Sequence, residues 1–205
     1  MKLYIIRHGQ TPWNVQKRLQ GRSDVDLNEH GIRLAKITGE ALRQVPFAAA
    51  FTSPLSRARH TAECVLEGRN VPIIEDERLI EISFGEYEGK CFKGDGAEIP
   101  NPDFQNFFDA PQDYIPAPGG ESLDEVEKRT ADFMKDICSR FELSDKTVLI
   151  STHGCALRGL LNSLKETPRE DYWNGGVSKN CAVSIVECKE GIPVLLEENK
   201  VYYEE

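Results

Sequence analysis

Arg7-His8-Gly9 follows directly on a short apolar run, Lys2–Ile6, and His153-Gly154 follows a second, Thr147–Ser151. Arg57 stands in the first turn of a helix that the pattern opens after a third run, Phe47–Thr52. If these runs are strands of one open α/β sheet, their carboxyl ends bring Arg7, His8, Arg57 and His153 to a common cleft, where ligands bind in such sheets. Two guanidinium forks beside two imidazoles suit a phosphoryl group, because the forks match its oxygens and neutralise charge in the transition state. A neutral imidazole can attack phosphorus and hold it covalently, dividing one displacement into two. An arginine in a first helical turn opposes the helix dipole, which favours an anion to offset it. The leaving oxygen then needs a proton. Glu81, the lone acid in Leu79-Ile80-Glu81-Ile82-Ser83-Phe84-Gly85, sits in mostly apolar surroundings that suit a general acid. Taken singly each has a plainer reading: a strand-end histidine as a structural hydrogen-bonding residue, Glu81 as a surface-loop acid.

The elements that must position these groups are legible in the periodicity. Asn28 is a helix N-cap, with Leu34, Ile37, Thr38, Ala41, Leu42 and Val45 at helical spacing up to Pro46. Ser53-Pro54 reads as an N-cap with proline at the first helical position, opening a helix to about Leu66. Val71–Glu75 is a third strand after those at residues 2–6 and 47–52, and residues 12–27 read as loop. Ser122-Leu123-Asp124-Glu125 is a capping box ahead of Val126, Thr130, Phe133, Ile137 and Phe141 on one helical face. A helix over about residues 156–164 follows Thr147–Ser151. Ala182–Glu187 and Val194–Glu197 flank Lys189-Glu190-Gly191 as a closing hairpin. Strands alternating with helices predict a single domain over residues 1–205: a three-layer α/β/α sandwich with a mostly parallel central sheet. Residues 90–121 fit neither period, and are read as an irregular lid excursion over the sheet edge.

At this point the chain resembles the histidine phosphatase superfamily, in its phosphoglycerate mutase-like branch. The resemblance rests on Arg7-His8-Gly9-Gln10-Thr11-Pro12-Trp13-Asn14, Leu19-Gln20-Gly21, Ser53-Pro54-Leu55-Ser56-Arg57-Ala58, Phe84-Gly85 with Glu88-Gly89, Gly119-Gly120-Glu121-Ser122, and Ser151-Thr152-His153-Gly154. It implies His8 as the nucleophile that becomes phosphohistidine, and Glu81 as the acid that protonates the leaving group and then activates water. It implies a phosphate pocket of Arg7, Arg57 and His153, with Asn14 adding a hydrogen bond and Gln20, Gly21 and Gly154 lining the site. No metal or other cofactor is implied, and the four histidines show no HxH or HExxH spacing.

The family holds mutases and phosphatases. Mutases of this branch carry Arg-His-Tyr after the catalytic glutamate and an arginine pair in the next excursion, whereas Ile82-Ser83-Phe84 follow Glu81 here. Residues 90–121 contain no arginine, only Lys90 and Lys93 against Asp95, Glu98, Asp103, Asp109, Asp113 and Glu121. Such a cap holds a small polyanion poorly, which favours hydrolysis of a phosphomonoester over the alternative, cofactor-dependent phosphoglycerate mutation. Candidate substrates are ribazole phosphate, sugar phosphates and phosphoserine. Phe92, Phe104, Phe107, Phe108 and Tyr114 read as the lid's own core, or else as an apolar face toward the leaving group. Gln10, where many relatives have Glu, is expected to tune the surroundings of His8.

With 25 Lys+Arg against 34 Asp+Glu, the net charge of −9 argues against a nucleic-acid partner, since phosphate backbones demand clustered cations. An anionic substrate is still accommodated if Arg7, Arg57 and a cationic His153 focus positive potential locally. No apolar run approaches the roughly 20 residues of a membrane span, and the opening MKLYIIRHG meets charge too soon for a signal peptide. The expected setting is cytoplasmic, with a small-molecule partner, no membrane, and an oligomeric state the sequence leaves open. The six cysteines form no CxxC pair and read as buried free thiols. Two rival classes remain: a non-catalytic phospho-ligand binder, whose mark would be loss of His8 or Glu81, and a metal or redox role for the cysteines.

Overall fold

Alternation along the apolar runs builds a sheet with two buried faces. The computed structural model describes residues 1–94 and 96–204. In chain order the elements are β1 (Lys2–Arg7), α1 (Pro12–Val15), α2 (Glu29–Ala41), β2 (Phe47–Thr52), α3 (Ser56–Val65), β3 (Ile73–Glu75), α4 (Asn106–Asp109), α5 (Leu123–Ser139), β4 (Thr147–Thr152), α6 (Gly154–Asn162), β5 (Val183–Lys189) and β6 (Ile192–Lys200). The strands lie in the order β3-β2-β4-β1-β5-β6. β1 to β4 are mutually parallel, and β5 and β6 add an antiparallel edge. Leu3, Ile5, Phe51, Val148 and Ile150 pack on Phe133, Ile137, Leu157 and Leu160 of α5 and α6. On the opposite face Ile6, Ala50, Leu149 and Val183 pack on Leu34 and Ala35 of α2 and on Ala62 and Val65 of α3. This is the three-layer α/β/α sandwich expected from the alternation of strands and helices.

Register aligns the carboxyl ends that matter. Arg7 pairs with Thr152 and Thr52 with Ser151, so His8, His153 and Ser53 leave the sheet side by side.

Several boundaries differ from the sequence reading, each for a local reason. A short helix, α1, interrupts the expected loop 12–27 because Thr11 and Asn14 form a reciprocal capping box. Ser53-Pro54 do not cap α3, which starts at Ser56; the Ser53 hydroxyl instead bonds His153 Nε2 at 2.8 Å and accepts from Leu55 N at 3.3 Å. α5 stops at Ser139, so Phe141 leaves the expected helical face and stands 88% exposed in a following turn. α6 begins at Gly154, two residues early, because Glu81 caps its first N–H groups. The closing hairpin is longer than expected, since Glu190 and Gly191 both adopt positive φ, the two-residue turn that matches strand twist. Asn28 and Ser122 cap α2 and α5 as read from the sequence.

The excursion contains short helical turns within residues 102–113 but no strand among its described residues. Asp95, one of the acids counted there, lies outside the described residues. Phe92, Phe104, Phe107, Phe108 and Tyr114 pack on one another and on Phe84, Tyr87 and Trp173, with ring centroids 4.8–6.4 Å apart. They are the excursion's own core, continuous with Leu123 and Val126 of α5. All six cysteines are free; Cys64, Cys155, Cys181 and Cys188 are buried, whereas Cys91 and Cys138 are half-buried.

Candidate active site

His8, Arg57 and His153 meet at the carboxyl edge of β1, β2 and β4, all buried, with the two imidazole centroids 5.1 Å apart. Each is held by main chain. His8 N donates to Thr152 O at 2.8 Å, and His8 O accepts from Asn180 Nδ2 at 2.9 Å. His8 Nδ1 lies 2.7 Å from Gly9 O, a contact that needs a proton on Nδ1 and leaves the Nε2 lone pair as the ring's free end. Gly9 N is pinned in turn by Thr61 Oγ1 at 2.9 Å, while that hydroxyl donates to Arg57 O at 2.6 Å.

Arg57 reaches from α3 and donates from Nη1 to Ser23 O at 2.8 Å, from Nη2 to Gly21 O at 2.7 Å and from Nε to His153 Nδ1 at 3.1 Å. Burial pushes this guanidinium down to about 10, so it stays charged at neutral pH. The loop carbonyls it grips are fixed by Glu88, whose carboxylate accepts from Arg22 N (2.9 Å), Phe84 N (3.2 Å) and Ser23 Oγ (2.7 Å). Gly21 has φ +51, and a β-carbon there would lie 2.1 Å from Glu88 Oε1, so glycine is required at this turn.

Since Arg57 donates to His153 Nδ1, the His153 ring is neutral with its proton on Nε2, facing Ser53. The cationic His153 expected from the sequence is therefore corrected. Burial first, then the charge of Arg57, holds both His153 and His8 well below the usual histidine range. The unfolded chain takes up these protons as the pH falls through about 6.5 and the folded chain does not, so this contribution to stability is complete above that pH and is lost below it. Each ring adds a slope of up to about 1.4 kcal/mol per pH unit. Thermal melts between pH 7.5 and 5 should show His8→Gln losing less stability on acidification than the parent; equal losses would contradict this account.

Arg7 ends β1 with Nη1 donating to Ser178 O, and its buried Nε has no protein partner. Burial lowers its pKa, with Glu81 opposing. Glu81 does not sit in the apolar surroundings expected. Its carboxylate accepts three backbone N–H groups, from Cys155 (3.1 Å), Ala156 (3.0 Å) and Ile82 (3.0 Å), at the N-terminus of α6. A β-carbon on Gly154 would lie 3.7 Å from both Arg7 Nε and Glu81 Oε2, so Gly154 sits between them.

Asn14 Oδ1 accepts from Thr11 N at 3.0 Å and Asn180 Nδ2 at 3.4 Å, which fixes the orientation of its amide. Gln20, also buried, is held by Thr11 Oγ1 at 3.0 Å and builds the loop. Gln10 Oε1 accepts from Asn28 Nδ2 at 2.9 Å and borders a cavity of about 480 Å³ with Arg7, Asn180 and Tyr203. The structure thus gathers Arg7, His8, Arg57, Glu81, His153 and Gly154, with Gly21 and Asn14 at the rim.

Thr61 and Asn180 are supports that the sequence reading did not single out, and Ser53 and Glu88 stood in its motifs without this role. Thr61 carried a usable signal, standing one turn beyond Arg57 on the same helix. Asn180 carried none, since it lies in a loop 172 residues from the carbonyl it holds.

Residues 3–201 match the histidine phosphatase superfamily (branch 1). Phosphoserine phosphatase 1 of Hydrogenobacter thermophilus is 29% identical over 97% of this chain and 92% of its own. The 2,3-bisphosphoglycerate-dependent phosphoglycerate mutase 2 of Gloeobacter violaceus is 37% identical over 79% of this chain and 74% of its own. The solved structure of Bacillus stearothermophilus YhfR superposes with a TM-score of 0.88 at 39% identity, covering 98% of this chain and 97% of that one.

Proposed function

Because the chain belongs to the histidine phosphatase superfamily, branch 1, we propose that it hydrolyses small phosphomonoesters through a phosphohistidine on His8. The observation that carries this reading is the His8 ring itself: neutral, with Nδ1 committed to Gly9 O and the Nε2 lone pair beside the buried Arg57 and the half-buried Arg7. Nε2 attacks phosphorus and the P–O bond to the alcohol breaks. Arg7 and Arg57 neutralise the equatorial oxygens. Glu81 gives its proton to the departing oxygen, and the three backbone N–H groups stabilise the carboxylate that remains. Water then attacks the phosphohistidine, Glu81 takes the proton back, and inorganic phosphate leaves with the imidazole restored. Asn14, Gln20, Gly21, His153 and Gly154 shape the pocket, and residues 90–121 act as a cap within a single domain.

Mutation of phosphoglycerate is the second reading, favoured by the identity to a mutase. The surroundings of Glu81 support hydrolysis instead: Ile82 is buried, and Ser83 is committed to Gly119 O at 3.0 Å, so no cation follows the acid to grip a second anion. Rapid mixing with a ³²P-labelled phosphomonoester and quenching in base should yield acid-labile label on the peptide that contains His8. Label on a serine, or none during turnover, would overturn the mechanism. Incubation with 3-phosphoglycerate and a bisphosphoglycerate primer should release phosphate faster than it forms 2-phosphoglycerate. Described helices include none long and apolar enough to cross a membrane.

A further inference from the structure

Resting on that phosphatase reading, we propose that Glu121 is a positioning residue for the general acid Glu81, acting through Arg22 and Arg129. The Glu121 side chain is nearly buried, and both its oxygens are engaged. Arg129 Nε reaches Oε1 at 2.8 Å and Arg129 Nη2 reaches Oε2 at 3.0 Å, while Arg22 Nη2 pairs with Oε2 at 3.1 Å. Each arginine then carries a second bond to the segment that ends in Glu81: Arg129 Nη1 donates to Arg78 O at 2.8 Å, and Arg22 Nε donates to Glu81 O at 3.4 Å. The Glu121 amide closes the frame from beyond the acid, donating to Ser83 O at 2.9 Å. Residues 78–81 are therefore held at Arg78 O and at Glu81 O by two guanidiniums that share the Glu121 carboxylate, while the Glu121 main chain holds Ser83.

The same frame reaches the phosphate pocket. Arg22 lies between Gly21 and Ser23, whose carbonyls hold Arg57. Glu121 also ends the excursion 90–121, so the seating of that segment is coupled to the carboxyl that supplies the proton. An acid displaced by about 1 Å loses on the order of 10²-fold in a proton-transfer step. Loss of phosphate binding is not expected, because Arg57 is held by the main-chain carbonyls of Gly21 and Ser23 in a loop fixed by Glu88, and none of these bonds uses the side chain of Arg22 or Glu121.

The test compares leaving groups. 4-Nitrophenolate departs without a proton, whereas the alkoxide of glycerol 3-phosphate needs one. The parameter kcat/KM ends at departure of the alcohol, so it reads the acid step and not dephosphorylation. In Glu121→Gln the ratio of kcat/KM for 4-nitrophenyl phosphate to that for glycerol 3-phosphate should rise tenfold or more, as it should, further still, in Glu81→Gln. Should Glu121→Gln fail to fold, Arg22→Gln decides, since it cuts the Glu81 side of the frame at a partly exposed residue. An unchanged ratio, with both substrates falling together or neither falling, overturns the positioning role. Base-stable label on His8 in the same samples then leaves hydrolysis through phosphohistidine standing, and its absence in the parent protein would strike that reading instead.

Discussion

His8→Ala should lower kcat/KM for any phosphomonoester by roughly 10⁴-fold or more and abolish the base-stable phosphoenzyme, while the protein stays folded. The chemical part follows from the ring's environment. With Nδ1–H fixed on Gly9 O at 2.7 Å and the pKa held down by burial and by Arg57 and Arg7, Nε2 is an unprotonated nucleophile at neutral pH. The other imidazole of that edge cannot replace it, because His153 has both nitrogens engaged, by Arg57 and Ser53. Direct attack by water would have to replace a positioned nucleophile with a mobile one. The structural part follows from the main chain, since Thr152 and Asn180 bind the backbone of residue 8 and not its side chain. Steady-state kinetics with 4-nitrophenyl phosphate, alongside a thermal melt, check both. A folded variant that keeps a tenth of the parental kcat/KM would rule out His8 as nucleophile.

How far the sequence carried depended on whether a feature was local. Strand runs, the caps at Asn28 and Ser122, and the strand-end placement of His8 and His153 are local patterns, and the sandwich follows from them. Features set by long-range partners were misread. Ser53 has the composition of a cap, yet its hydroxyl is taken by a histidine 100 residues away. Glu81 is flanked by apolar residues in sequence, yet its carboxylate lies on the first turn of α6, more than 70 residues on. The protonation of His153 likewise depends on a donor, Arg57, that only the fold supplies. The acids of the excursion show the same limit, because Glu121 is neutralised by two arginines from outside the segment and Glu98 is paired with Arg18.

Arg57→Met is expected to cost roughly 10³-fold or more in kcat/KM, on the scale of other guanidinium groups that stabilise phosphoryl transfer, and to destabilise the fold as well. Two acceptors, Gly21 O and His153 Nδ1, lose their donor at once, and Ser23 O keeps only Val25 N at 3.1 Å. Each of the first two, left buried and unpaired, costs about 1–3 kcal/mol. Arg57→Lys restores the charge but not the planar fork that serves both loop carbonyls and the imidazole together, so it should recover stability more than activity. The pH dependence separates an electrostatic role from a merely structural one. The charge of Arg57 is the second largest influence holding both histidines below their usual range. Removing it raises both values, so protonation of His8 begins at higher pH and the acid limb of residual kcat/KM moves upward in the Met variant. In the Lys variant the limb should stay near that of the parent. An acid limb that does not move in Arg57→Met would mean that burial alone keeps His8 neutral, and that Arg57 serves the loop and not the nucleophile.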